Sequence, residues 1–112
     1  MSRTLLLGVT AAAIVTLGVV PARSDDPTYT LTIQDHRFAP EQLDLPAGKK
    51  VALIVKNLDA TPAEFESTDL NREKVVVGGG TITVFIGPLR PGTYEFFDDF
   101  NPGTTHGHIV AK

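Results

Sequence analysis

The chain has 112 residues, with 10 basic and 13 acidic side chains, a formal net charge of −3, no cysteine, and Met1 as its one methionine. An acidic chain without a basic patch is a poor candidate for nucleic-acid binding, which calls for clustered Lys and Arg. The missing thiols exclude disulfides, zinc–cysteine sites and a cysteine-ligated blue copper centre.

In chain order, residues 1–24 read as a secretory leader. Arg3 supplies the positive start, and Leu5 to Val20 is an uncharged apolar run. Small-residue cleavage patterns follow at Val20-Pro21-Ala22 and Ala22-Arg23-Ser24. The run falls short of the roughly 20 residues of a membrane span, although an uncleaved N-terminal anchor is the alternative. Cleavage would take away Arg3 and Arg23, leaving one domain of residues 25–112 with a net charge of about −5. Export is the expected fate of that domain.

Period-two alternation marks Tyr29–Gln34 as the first strand. Asp35–Pro40 reads as a connection, and Gln42–Leu45 as a short strand stopped by Pro46-Ala47-Gly48. Lys49–Asn57 is a central strand, and Ala63–Ser67 follows. Thr68–Arg72 is polar and suits one helical turn. Lys74–Val77 and Thr81–Ile86 flank Gly78-Gly79-Gly80. That triple glycine lacks the Lys-Ser/Thr and the helix start of a phosphate loop, so it reads as a hairpin turn. Tyr94–Phe97 and His108–Ala111 complete about eight short strands. The expected fold is all-β, a single-domain antiparallel β-sandwich.

Chemistry concentrates at Ala63–Ser67, which reads AEFES. On a strand, residues two apart share a face, so Glu64 and Glu66 stand together while Phe65 turns to the core. Two like charges side by side call for water or a cation. The expectations are a metal ion or a solvated acidic face. Asp98 and Asp99 precede Asn101-Pro102-Gly103, where they serve either as ligands or as an Asx-type turn. His36 sits on a connection, and His106 and His108 flank Gly107. Tyr94 alternates with Phe96 and reads as a core or corner residue.

Two segments carry a family resemblance. Asn57 to Ala63 is similar to the segment that delivers the first copper histidine of small cupredoxins, with Ala63 at the ligand position. Asp98, Asn101 and His106 match the spacing of the family's Cys, His and Met ligands. All four blue-copper ligand positions are therefore changed. A narrower likeness runs through Asp35–Pro40, Pro46–Gly48, Ala63–Ser67, Asn71–Gly80, Gly87–Phe97 and Gly107–Lys112. Through these the chain resembles the small periplasmic cupredoxin-like protein of bacterial ferrous-iron permease systems. It also resembles the N-terminal domain of a related periplasmic iron-uptake lipoprotein, where Asp98 and Phe38 fall at its two cysteines.

The resemblance implies a Greek-key cupredoxin-like sandwich with a Glu-x-Glu metal site at Glu64 and Glu66, completed from the loop after Tyr94. Asp98 is the next candidate. Phe100-Asn101-Pro102 stands where the small-protein group often has Phe-His-Pro, so Asn101, His36, His106 and Asp99 all stay open as further ligands. Oxygen and imidazole donors without sulfur suit Cu(II), iron, manganese or zinc rather than Cu(I). The implied role is copper-assisted oxidation of Fe(II) before transport, with a periplasmic iron-binding protein and an iron permease as partners. The alternative is a metal-free sandwich that offers its acidic patch to a cationic protein surface.

Overall fold

Alternating apolar and polar side chains carry most of residues 26–112, the part described by this computed structural model, into nine strands; the expected leader over residues 1–24 lies outside them. They are β1 (Thr28–Gln34), β2 (Arg37–Ala39), β3 (Gln42–Leu45), β4 (Val51–Asn57), β5 (Ala63–Ser67), β6 (Arg72–Val76), β7 (Thr81–Ile86), β8 (Gly92–Asp98) and β9 (His106–Ala111). One sheet runs β2-β1-β4-β7 and the other β3-β9-β8-β5-β6. The all-β Greek-key sandwich expected from the sequence is the fold that forms. It is not purely antiparallel, because β1 pairs with β4 and β3 with β9 in parallel.

Three local readings need correction. The stretch Asp35–Pro40 contains a strand, β2, because Asp35 and His36 both take positive φ (53° and 55°) and fold the chain straight back. That two-residue turn normally draws Asn-Gly, so Asp-His gave no signal. Residues 68–71 form a turn rather than a helical turn, held by Ser67 Oγ, which accepts from the Leu70 N–H at 3.1 Å and donates to the Glu95 carbonyl. The triple glycine is not a hairpin turn either: β6 and β7 lie in different sheets, so it turns a corner between them. Gly78 is needed there because a Cβ would lie 2.1 Å from the Ala60 carbonyl oxygen. The Gly79 N–H donates to the Asp59 carbonyl at 3.0 Å, locking the β6–β7 corner onto the β4–β5 loop.

The core lies between the sheets. Leu31, Ile33, Leu53, Val55 and Ile86 face Phe65, Val76, Phe96 and Ile109. Phe38, Phe65 and Phe96 form a ring cluster, with Phe38 edge-on to Phe96 at 4.9 Å and Phe65 5.4 Å from Phe96. Phe65 is fully buried, and its truncation to alanine would cost about 3–5 kcal/mol. Tyr94 packs against the rim of this core and donates its hydroxyl to the Arg90 carbonyl at 2.8 Å.

The edges of the two sheets meet at β6 and β7. Arg72 Nε donates to the Phe85 carbonyl at 2.9 Å, and Lys74 Nζ to the Thr83 carbonyl at 3.2 Å. These side chains satisfy carbonyls that an unpaired edge would leave to solvent or to another chain. They also fix the orientation of β6. With Arg72 and Lys74 turned towards β7, Glu73 between them points to the outer face of the second sheet.

Candidate metal centre

Burial of Phe65 decides where the acids of β5 go. Its neighbours Glu64 and Glu66 must face outward, over the middle of the β8–β5–β6 trio. The adjoining strands supply more acids to the same face. Glu73 is the direct partner of Glu66 across β5–β6. The Asp99 N–H donates to the Glu64 carbonyl at 3.0 Å, continuing the β5–β8 ladder one step past Asp98. Side-chain oxygens of Glu64, Glu66 and Asp99 all lie within 4.8 Å of one another.

The electrostatics of this face are unfavourable without a cation. Glu64 is only 9% exposed. Burial is the main reason its pKa is pushed up to about 7; a hydrogen bond with Glu73 and the charges of Glu73, Asp99 and Glu66 add to it. Glu66 is raised too, first by burial and then by the charges of Asp99 and Glu73. Among the described residues no ion pair involves Glu64, Glu66, Glu73 or Asp99. A hard cation would supply the missing positive charge.

Asp98 has a different role. It pairs with Phe65, points inward and is 1% exposed. Its Oδ1 accepts from the Glu64 N–H at 2.8 Å and the Phe100 N–H at 3.0 Å. Its Oδ2 accepts from Asn101 Nδ2 at 3.1 Å. The Phe100 bond is the Asx turn that the composition favours. Asp98 thus ties the β8–β9 loop to β5, and Asn101 spends its amide on Asp98.

The histidines stand apart from the carboxylates. The His36 and Asp35 N–H groups donate to the two oxygens of Asp59 at 2.9 and 2.7 Å, and His36 Nδ1 lies 3.8 Å from the same carboxylate. Thr105 donates its hydroxyl to the His36 carbonyl. The His36 N–H is the leading cause holding Asp59 below the usual carboxylate range. His106 is on the outer face but pairs with Phe97, which in turn pairs with Glu66. Two strand spacings, about 10 Å, separate it from the acids. His108 meets Gln42 at 3.1 Å.

Glu73 is the acid that sequence reading left out. The Ser67–Arg72 hairpin register would have found it, since four turn residues place Glu73 opposite Glu66.

The donors present do not fit a blue copper centre. Ala63 has no donor atom, Asp98 and Asn101 are engaged with each other and with backbone N–H groups, and His106 lies beyond Phe97. The oxygen cluster on the outer face does fit a hard cation such as a ferric ion, and the borderline Cu(II) ion also accepts oxygen donors.

Comparison with known proteins agrees with this architecture. The family model for the cupredoxin-like domain matches residues 6–111. An uncharacterised protein of Rickettsia prowazekii is 45% identical over 82 residues, which cover 73% of this chain and 66% of that protein, just under two thirds of its length. Auracyanin A, a blue copper protein from Chloroflexus aurantiacus, superposes with a TM-score of 0.65 at 15% identity, over 76% of this chain and 98% of its own. Amicyanin from Paracoccus versutus gives 0.60 at 12% identity, over 80% and 83%. At such identities the structural likeness speaks for the fold alone.

Proposed function

The chain belongs to the cupredoxin-like domain family, and from that premise we propose that it is a periplasmic metal-binding protein of ferrous-iron uptake, holding Cu(II) or iron on carboxylates instead of at a blue copper site. One observation carries the metal reading. Glu64 is nine-tenths buried, yet its carboxylate faces Glu66, Asp99 and Glu73 with no cation among the described residues. Burying a charge among like charges is costly unless something pairs with it.

The iron-uptake role, the periplasmic location, and the permease and iron-binding partners rest on the resemblance through AEFES and the Tyr94–Asp98 segment. Bound Cu(II) would supply a one-electron acceptor for Fe(II). The residues themselves favour holding an ion over cycling it, because hard oxygen donors stabilise Cu(II) and Fe(III) more than their reduced forms. Asp98 contributes by positioning: it clamps Glu64 and the chain leading to Asp99 in one place.

Cu(II) titration of the full chain, read by calorimetry and EPR, tests the proposal, with Glu64→Gln plus Glu66→Gln alongside. The expected result is one tight equivalent without intense blue absorption, lost in the double variant. Iron titration follows if copper does not bind. Should neither metal bind in stoichiometric amount, the metal reading fails, and the acidic face becomes a surface for a cationic protein.

A further inference from the structure

Residues 98–105 close on themselves. The Asn101 N–H donates to the Asp98 carbonyl, the Thr105 N–H to the Asn101 carbonyl and the Asp98 N–H to the Thr105 carbonyl, at 3.0, 3.0 and 2.8 Å. The loop is therefore one piece, and it carries Asp99, the acid that joins Glu64 and Glu66. Two bonds hold it to β5: the Glu64 N–H donates to Asp98 Oδ1, and the Asp99 N–H to the Glu64 carbonyl. Among the described residues a single hydrogen bond ties it to the β1–β2 turn of the other sheet, from the Thr105 hydroxyl to the His36 carbonyl. We propose that Thr105 is a positioning residue of the metal centre, its hydroxyl fixing the loop so that Asp99 stands beside Glu64 and Glu66. This rests on the metal reading above and adds to it a residue that touches no ion.

The anchor is itself fixed. The Asp35 and His36 N–H groups donate to the two oxygens of Asp59 at 2.7 and 2.9 Å. The Leu58 N–H donates to the Ile33 carbonyl at 2.8 Å. The turn is thus pinned to the β4–β5 loop, and the His36 carbonyl is a firm point for the Thr105 hydroxyl to bond.

Thr105 is fully buried. A buried hydroxyl is costly unless it is bonded, and valine would fill the same space without that cost. What the hydroxyl adds is the bond across the sheets. Its effect on the acids runs through two steps. The Thr105 carbonyl accepts from the Asp98 N–H, and Asp98 in turn holds the Glu64 N–H. Groups that orient metal ligands without touching the metal carry a measurable share of affinity.

The test compares full-length wild type, Thr105→Val, Thr105→Ser and His36→Ala. Each is studied by amide hydrogen exchange without metal, and by titration against a competing chelator with Cu(II), or with iron should wild type bind only that. Thr105→Val leaves every charge in place. It should speed exchange of the Asp98 and Asp99 amides about fivefold, the effect of losing one hydrogen bond. It should weaken metal binding about tenfold. The Leu53 and Val55 amides of the central strand β4 should keep their wild-type rates, which separates a loosened loop from a loosened core. Thr105→Ser keeps the hydroxyl and should restore both properties. His36→Ala keeps the carbonyl and should match wild type. If Thr105→Val binds metal like wild type, or if Thr105→Ser does not restore binding, Thr105 is not a positioning residue and the metal reading stands. If Leu53 and Val55 exchange faster too, the loss is one of folding and the proposal fails. If wild type binds neither Cu(II) nor iron, both readings fall together.

Discussion

Asp98 and Glu64 are joined by one hydrogen bond, from the Glu64 N–H to Asp98 Oδ1 at 2.8 Å. Both are acids and both are buried, at 1% and 9% exposure. Asp98 accepts two backbone N–H groups and one side-chain amide. Glu64 has acids around its carboxylate, and its pKa is pushed up to about 7. Burial therefore does not separate a structural acid from a ligand; the supply of donors does. A carboxylate whose lone pairs are filled by N–H groups is part of the scaffold. A carboxylate buried among other carboxylates is waiting for a cation or a proton.

Truncating the two acids should make the contrast visible, and Asp98 should give the larger effect. Asp98→Ala leaves the buried Glu64 N–H and the part-buried Phe100 N–H without their acceptor, so unfolding in urea should show a loss of about 3 kcal/mol. Glu64→Gln should move the other way in the metal-free protein above pH 7, by removing a like charge. If Asp98→Ala kept full stability but lost the metal, the two roles would be reversed.

Titration should sharpen the contrast further. The folded-state pKa of Glu64, about 7, lies above its ordinary 4.5. Between those values the native state holds more protons than the unfolded state. Metal-free stability should therefore rise as pH falls through about 7 and level off below about 4.5. The slope should flatten in Glu64→Gln. Metal affinity should run in the opposite direction, dropping by at least about tenfold from pH 7.5 to pH 5 as protons compete for the same oxygens. An affinity independent of pH over that range would speak against carboxylate ligation.

The sequence carries the fold through its period-two runs, and it carries the outward placement of Glu64 and Glu66 through Phe65 between them. It carries less of what depends on pairing. The parallel β1–β4 and β3–β9 contacts join segments far apart in the chain, and alternation is blind to strand direction. Glu73 became visible only when β6 was in register with β5. The division between Asp98 and Asp99 was hidden for a related reason. Neighbouring residues point to opposite faces, so one is drawn inward to the N–H groups and the other outward to the acids, but which is which depends on where β8 stops pairing with Phe65.

The smallest expected effect concerns the histidines, and it marks the boundary of the site. His36 is tied through its N–H and its ring to Asp59, and His106 is screened from Glu66 by Phe97. His36→Ala and His106→Ala should each leave Cu(II) affinity within about twofold of wild type, well short of the tenfold expected on losing a metal-site group. The EPR spectrum should show no nitrogen coupling, as oxygen ligation requires. Coupling that disappears in His106→Ala would mean that the imidazole passes Phe97 to reach the ion. The centre would then extend over β9, Asp98 would still be scaffold, and the all-oxygen reading would fail. Coupling lost in His36→Ala would be more disruptive, because the ring would have to leave Asp59 and draw the β1–β2 turn, with its two positive-φ residues, out of place. The imidazole is thus held away from the acids by the same clamp that shapes its turn.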